Sequence, residues 1–300
     1  MSRPNIAWRP QPGPQTDLVR CPVFEVFYGG ARGGGKTDGI IGGVAPLRAQ
    51  TLLGAYSGLF LRREFVQLRQ AIERSHQLYT PIGAEWRAGE AQWVFPGGGR
   101  LTFAHIDADA DAEKYQGHSY TDIYIEELGN FPSPRPINKL MATLRSGERI
   151  RGKPVECIFR ATGNPGGPGH NWVKERYIDP DPVGYRILNE DFVNPWSKTK
   201  ISRSRVFIPS KVSDNHYLGP EYVANLQMTG SEAQVRAWLN GDWDIIEGAF
   251  FDEWRSDLHV VLPFSIPRHW TKFRSFDWGS AKPFSCGWWA IASDDGWENG

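Results

Sequence analysis

Apolar residues fall into short unbroken runs along this chain, separated by stretches where they recur at helical spacing. Val23-Phe24-Glu25-Val26-Phe27-Tyr28, Gly58-Leu59-Phe60-Leu61-Arg62, Ile123-Tyr124-Ile125 and Val155-Glu156-Cys157-Ile158-Phe159 have the length and the β-branched, aromatic content of buried strands. Residues 37–50 predict a helix, and residues 64–79 an amphipathic one with Val66, Leu68, Ile72 and Leu78 on its apolar face. Trp93-Val94-Phe95 and Leu101-Thr102-Phe103-Ala104 flank Pro96-Gly97-Gly98-Gly99, the pattern of a β-hairpin. A further strand is predicted at residues 205–209 and helices at 220–228 and 231–240. Residues 1–22, rich in Pro and Gln, read as an extended lead-in, and residues 165–195 as loop.

Strands that alternate with helices predict an open α/β sheet with helices on both faces and its ligand at the carboxyl ends of the strands. From about residue 247 the pattern changes, and residues 271–277 and 284–292 predict a new hairpin. The expected organisation is one domain over residues 1–246, a linker over 247–270, and the start of a second, incomplete domain over 271–300.

Composition narrows the class. Hydrophobic residues make up 40% of the 300 and charged residues 23%, enough apolar surface for a globular core. No apolar run approaches the roughly 20 residues that span a bilayer. Met1-Ser2-Arg3-Pro4-Asn5 lacks the apolar core of a signal peptide, so a soluble intracellular protein is expected. Cys21, Cys157 and Cys286 are far apart and have no metal-ligand spacing, which fits a reducing compartment. Asp107-x-Asp109-x-Asp111 begins like a calcium loop, but Ala112 and His118 replace the glycine and glutamate it needs. The 34 basic residues balance the 34 acidic ones, which argues against a static grip on nucleic acid. Lys198-x-Lys200-x-x-Arg203-x-Arg205 is a local basic run, either a transient contact or a solvated face.

The most specific feature is Gly30-Ala31-Arg32-Gly33-Gly34-Gly35-Lys36-Thr37, which directly follows the first predicted strand. Its glycines allow successive backbone N–H groups to curl around a phosphate. Lys36 would reach the β and γ oxygens, and the Thr37 hydroxyl would ligand Mg²⁺ at the start of the next helix. Hydrolysis also needs a metal carboxylate and a group that orients water. Asp122-Ile123-Tyr124-Ile125-Glu126-Glu127 supplies both, Glu126 for the metal and Glu127 for the water. The structural alternative is an acidic helix start after a strand. Ala161-Thr162-Gly163-Asn164-Pro165-Gly166-Gly167 ends the following strand with a polar group placed to sense the γ-phosphate, or with a plain Asn-Pro-Gly turn. No Asn-Lys-x-Asp motif occurs, so ATP is expected rather than GTP.

In order and spacing, these features resemble the large terminase subunit of tailed bacteriophages, which pairs a DNA-packaging ATPase with a nuclease. The matching pieces are Pro10-Gln11-Pro12-Gly13-Pro14-Gln15, the glycine-rich loop, Tyr115-Gln116-Gly117 before the acidic pair, and Thr162 to Gly167 with His170-Asn171-Trp172. Asp214-Asn215-x-Tyr217-Leu218, Gly241-Asp242-Trp243-Asp244 and Phe276-Asp277-Trp278-Gly279 complete the series. The resemblance implies a P-loop NTPase of the ASCE type followed by the first strands of an RNase H-like α/β nuclease. It implies that Gln15 lies on the adenine side, that Thr162, Gly163 and Asn164 couple hydrolysis to movement, and that Asp277 is a metal-binding nuclease carboxylate.

The implied function is ATP-driven translocation of double-stranded viral DNA into a procapsid, with an endonuclease that cuts concatemers. ATP and Mg²⁺ are the implied cofactors, with a further Mg²⁺ or Mn²⁺ pair at a complete nuclease site. The implied partners are DNA, a portal protein, a small terminase subunit and further copies in a ring. The place of work would be the host cytoplasm and, transiently, the procapsid portal. Many terminases carry an arginine before the glycine upstream of the metal strand. Gln116 stands there here, and Arg32 and Arg145 are the replacement candidates. The family's other nuclease carboxylates would lie beyond residue 300, so nuclease inactivity of these residues is expected. A nucleotide-gated docking subunit that does not turn over, or another DNA-dependent ATPase such as a helicase, are the alternatives.

Overall fold

The structure, a computed structural model, describes residues 7–229, 232–244, 259, 261–279 and 284–292. The chain divides into two units, Met1–Asp252 and Glu253–Gly300. The boundary expected after residue 246 lies outside the described residues.

The first unit begins with α1 (Pro14–Arg20) and β1 (Glu25–Gly30), followed by α2 (Lys36–Asp38), which runs through a π-helical segment into α3 (Ala45–Leu52). Next come β2 (Ser57–Arg62), α4 (Phe65–Tyr79), β3 (Glu85–Arg87), β4 (Gln92–Val94), β5 (Arg100–His105) and β6 (Asp122–Ile125). After α5 (Arg135–Met141), the short pair β7 (Arg149–Ile150) and β8 (Lys153–Pro154) leads to β9 (Ile158–Gly163) and α6 (His170–Val173). The unit continues with β10 (Leu188–Val193), β11 (Lys200–Ser210), α7 (Pro220–Thr229) and α8 (Glu232–Asn240).

Nine of these strands form one sheet in the order β10-β11-β1-β9-β6-β2-β5-β4-β3. The central strands β11, β1, β9, β6, β2 and β5 run parallel, and antiparallel strands close both edges. Alternation along the central strands feeds two cores. Val26, Tyr28, Phe60, Tyr124 and Ile208 face one apolar cluster. Phe27, Leu59, Leu61, Ile123, Ile125, Phe159 and Phe207 face the other. Such a parallel sheet is covered on both faces, which is why its strands read as continuous apolar runs. The fold is the mixed α/β sheet that the alternation of elements predicts.

Several predicted elements shift. Residues 14–20 form a helix where an extended lead-in is expected, because Pro14 sets φ for a first helical turn and Leu18 and Gln15 are buried beneath it. β9 begins at Ile158 instead of Val155, since its partner β6 begins at Asp122, opposite Ile158. β10 lies in the segment read as loop. It is a largely exposed edge strand held only by β11, so no apolar pattern announces it.

The second unit contains β12 (Thr271–Asp277) and β13 (Ser285–Ile291), paired antiparallel from Thr271↔Ile291 to Asp277↔Ser285. This is the hairpin predicted from the change of pattern.

Candidate functional site

β1, β2, β6 and β9 all end on the same edge of the sheet, and the glycine-rich loop leaves β1 there. Gly30, Gly33 and Gly35 have φ of 130°, 78° and 71°, a region closed to most side chains. A Cβ on Gly30 would also collide with the Ser210 carbonyl. The loop's carbonyls are tied down one after another. The Asn215 Nδ2 donates to Gly33 O, the Tyr28 hydroxyl to Gly34 O at 2.9 Å, and Gln15 Nε2 to Gly35 O at 2.8 Å. In a trans peptide the carbonyl and the next N–H point opposite ways. Fixing these carbonyls therefore turns the N–H groups of Gly34, Gly35 and Lys36 to the other side, as a nest for an anion.

The cavity on that side measures about 650 Å³ and is lined by Lys36, Thr37, Arg62, Glu127, Asn130 and Asn164, among others. Lys36 starts the helix and is buried, its ammonium donating to Ala31 O and, at 2.7 Å, to Asn164 Oδ1. Burial lowers its pKa to about 8, with Glu127 and Glu126 acting in the opposite direction. The Glu126 carboxyl is 1% exposed. Burial raises its pKa, opposed by the charge of Arg62 and a hydrogen bond with Thr37. Arg62 Nε donates to Glu126 Oε2 at 2.7 Å.

Glu127 adopts φ 53° and ψ 53°, the left-handed conformation that costs a non-glycine residue about 1–3 kcal/mol. Its side chain does not follow Glu126 into the sheet edge. Asn164 Nδ2 donates to both of its carboxylate oxygens, at 2.9 and 3.2 Å. Asn164 thus joins the loop lysine to the acid at the next strand end. Thr162 and Gly163 belong to β9 itself, level with Tyr28 and Gly29 of β1, and only Asn164 reaches the cavity wall.

A second cavity of about 1040 Å³ adjoins the first and is bordered by Trp8, Gln11, Gln15, Gly35, Asn215 and Tyr217. Gln11 Nε2 donates to Asn215 Oδ1 at 2.9 Å, and Gln15 Oε1 accepts from Gln11 N at 2.6 Å. This side-chain network connects the two loop carbonyls of Gly33 and Gly35.

Arg32 N donates to Trp238 O at 2.9 Å, and its guanidinium stacks 4.0 Å from the Trp238 ring centroid while still bordering the first cavity. Arg145 bonds Ser119 Oγ and the carbonyls of Gly117 and His118, at the entry to β6 and so at the opposite end of the strand. The part of the basic run that lies on β11 is engaged locally. Lys200 pairs with Asp191, Arg205 with Glu190, and Arg203 stacks over Phe24. Asp277 ends β12 opposite Ser285. Among the described residues no group of three or more His, Cys, Asp and Glu gathers as a metal cluster, and the acids at 107, 109 and 111 instead pair with His105, Arg63 and Lys114. The described cysteines are all free thiols.

Sequence reasoning missed Arg62 and assigned no role to Gln11 or Asn215. Arg62 carried one signal, its position at the carboxyl end of a predicted parallel strand, where ligands of such sheets bind.

A family model described as terminase large subunit, T4likevirus-type, N-terminal, matches residues 46–256, beginning after the glycine-rich loop. Comparison with curated proteins finds no match. Among solved structures, the large terminase from a thermophilic bacteriophage, in complex with ATP-γ-S, has a TM-score of 0.59 at 16% identity, over 94% of this chain and 65% of that one. The same phage protein in complex with ADP gives 0.57 at 17% identity, again over 94% of this chain and 65% of that one. The large terminase ATPase domain of Thermus phage P74-26 gives 0.53 at 13% identity, over 79% of this chain and 95% of that domain. These likenesses are of fold, and the chain spans 65% of the length of the nucleotide-bound large terminase it matches.

Proposed function

This chain belongs to the terminase large subunit family, and on that premise we propose that its first unit is a DNA-packaging ATPase that hydrolyses ATP in the cavity beside Lys36 and Glu127. The observation that carries the reading is the Asn164 bridge. It places an ammonium for the phosphates and a carboxylate for the water within one side chain of each other.

The triphosphate enters against the N–H groups of Gly34, Gly35 and Lys36, with the Lys36 ammonium on its β and γ oxygens. The base takes the adjoining cavity, bordered by Gln15. Glu127 orients a water and accepts its proton as the oxygen bonds to the γ-phosphorus, and the β–γ bridge breaks to leave ADP and phosphate. Arg62, which lines the cavity, lies against both the Thr37 hydroxyl and the Glu126 carboxylate, a pair of hard oxygen donors that suits Mg²⁺. Bound there, the ion would neutralise phosphate charge. Arg32, at the cavity, and Arg145, exposed on the other end of β6, are two candidate arginines for the transferring phosphoryl group, in the same and in a neighbouring subunit.

Movement would begin at the strand end of Thr162, Gly163 and Asn164. His170 Nδ1 accepts from Gly166 N at 2.9 Å, and its ring stacks 5.4 Å from Trp243, close in sequence to where the first unit ends. This chain of contacts supports a relay from the phosphate cavity to the last part of the first unit. In the second unit we assign Asp277 to the metal site of an RNase H-like nuclease, with residues 1–246 as motor, 247–270 as linker and 271–300 as the nuclease start. The proposed partners are double-stranded DNA, a portal, a small subunit and further copies in a ring, in the host cytoplasm. No helix among the described residues is long and apolar enough to cross a membrane.

Steady-state ATPase assays on the full chain and on Lys36→Ala, with and without double-stranded DNA, test the reading. Lys36-dependent hydrolysis stimulated by DNA is expected. Hydrolysis without any response to DNA would remove the packaging role.

A further inference from the structure

We propose that Arg62 holds the metal seat of the phosphate cavity closed until nucleotide arrives, so that a divalent cation binds together with nucleotide and not before it. The inference rests on the reading of this cavity as a nucleotide site and adds a residue that the reading does not use.

Arg62 is the last residue of β2, and Leu61 stands opposite Ile125 of β6, so Arg62 emerges directly beside Glu126. Its guanidinium is held from several sides. Nε and Nη2 lie 2.7 and 2.5 Å from the same oxygen, Glu126 Oε2. Nη1 donates to Gln67 O at 2.9 Å, and Nη2 lies 3.5 Å from Thr37 Oγ1. The arginine and glutamate side chains are 10% and 2% exposed, so solvent screens the pair poorly. The fork therefore covers the two groups, Thr37 and Glu126, that are the oxygen donors for a metal.

A buried carboxylate needs a counter-ion, and removing its partner leaves a costly uncompensated charge. In the nucleotide-free protein Arg62 supplies that charge. A divalent ion placed on the same carboxylate would meet the guanidinium at close range, and two cations around one buried anion repel strongly in a poorly screened site. A triphosphate changes the balance, since it brings several negative charges to the cavity that Arg62 already borders. Guanidinium and metal can then both find anionic partners. Metal and nucleotide affinities are linked by this exchange, and the linkage is reciprocal.

The test uses the full chain with Mn²⁺ as probe, read by the electron paramagnetic resonance of free Mn²⁺, with a fluorescent ATP analogue to report nucleotide binding. With the Mn²⁺ that ADP binds in protein-free buffer subtracted, wild type should hold Mn²⁺ at least about tenfold more tightly with ADP present than without it, an ordinary coupling between sites. Arg62→Gln should bind Mn²⁺ without nucleotide at least about tenfold more tightly than wild type. Adding Glu126→Gln to it should remove that gain. Thermal melts check that the variants fold, and the wild-type comparison stands without them. Equal Mn²⁺ affinity of wild type with and without ADP, or equal nucleotide-free affinity of a folded Arg62→Gln and wild type, would overturn the proposal. Loss of all nucleotide binding in wild type would instead remove the nucleotide reading, and this inference with it.

Discussion

Asn164 Nδ2 lies 2.9 and 3.2 Å from the two carboxylate oxygens of Glu127, so a residue from the end of β9 holds the acid that follows β6. The same carboxamide accepts from Lys36 at its oxygen. Glu127 is thereby kept in a left-handed backbone conformation that the side chain alone would not choose.

Glu127→Gln keeps the size and shape of the side chain and one of the two oxygens that Asn164 donates to, and loses the proton acceptor. Single-turnover kinetics should show hydrolysis slowed by about 10²–10⁴-fold, with ATP-analogue affinity close to wild type. Unchanged turnover would take Glu127 out of the mechanism. Asn164→Ala should lower turnover as well, and should also weaken nucleotide binding, because Lys36 loses an anchor.

If Lys36 holds the phosphates as proposed, nucleotide binding should depend on pH. Its folded pKa of about 8 lies below that of an unfolded lysine, so between the two values the unfolded chain holds a proton that the folded chain has released. Stability of the nucleotide-free protein therefore rises with pH across that window, and below about 8 the cost of the buried ammonium is present in full. A bound triphosphate favours the ammonium, so ATP-analogue affinity should fall as pH rises through about 8, by up to about tenfold per unit. Lys36→Met should bind weakly with a flat profile. A flat wild-type profile from about pH 7 to 9.5 would contradict the assignment.

Gly241 has φ 71°, and a Cβ there would stand 2.7 Å from Gly30 Cα and 3.0 Å from Ala31 N. Gly241→Ala should cost about 1–3 kcal/mol in denaturant unfolding and displace the start of the glycine-rich loop, weakening nucleotide binding in titrations. A fully stable variant with normal binding would mean that the loop does not lean on residue 241.

Asn215→Ala removes the donor to Gly33 O and the acceptor for Gln11. The expected result is a KM for ATP raised about tenfold with kcat changed less, since two part-buried hydrogen bonds are lost at about 0.5–1.5 kcal/mol each. Asn215→Asp keeps the acceptor but not the donor, so it should not rescue the defect.

At the far end of the strands, Asp122 is wholly buried and pairs with Arg48 at 2.7 Å. Arg48→Met should destabilise the protein by about 3–5 kcal/mol in urea unfolding, because it leaves a buried carboxylate unpaired. Asp122→Asn should cost less. The reverse order would mean that Arg48 and not Asp122 bears the desolvation.

Most of the parallel sheet was legible. Its strands are buried on both faces, and such strands read as near-continuous apolar runs, as around Phe27, Phe60 and Tyr124. The edge strand β10 was not, because exposed Glu190 and Asp191 give no burial pattern to read. α1 was hidden by its composition, Pro and Gln reading as lead-in although Pro14 sets the first turn. Glu126 and Glu127 could be picked out as adjacent acids, but not the turn to left-handed backbone that separates them.

By itself the sequence determined the chemistry on offer. Glycines at 30, 33 and 35, then Lys36 and Thr37, suit a loop that curls its N–H groups around an anion, because glycine takes those φ values without the strain a Cβ brings. What the tertiary structure alone decided is which groups share an atom. Arg62 meets Glu126 because β2 lies beside β6, and Asn164 meets Lys36 and Glu127 because β9 runs between β1 and β6. Neighbours in a parallel sheet come from distant parts of the chain, and local pattern carries no record of which strand will lie beside which.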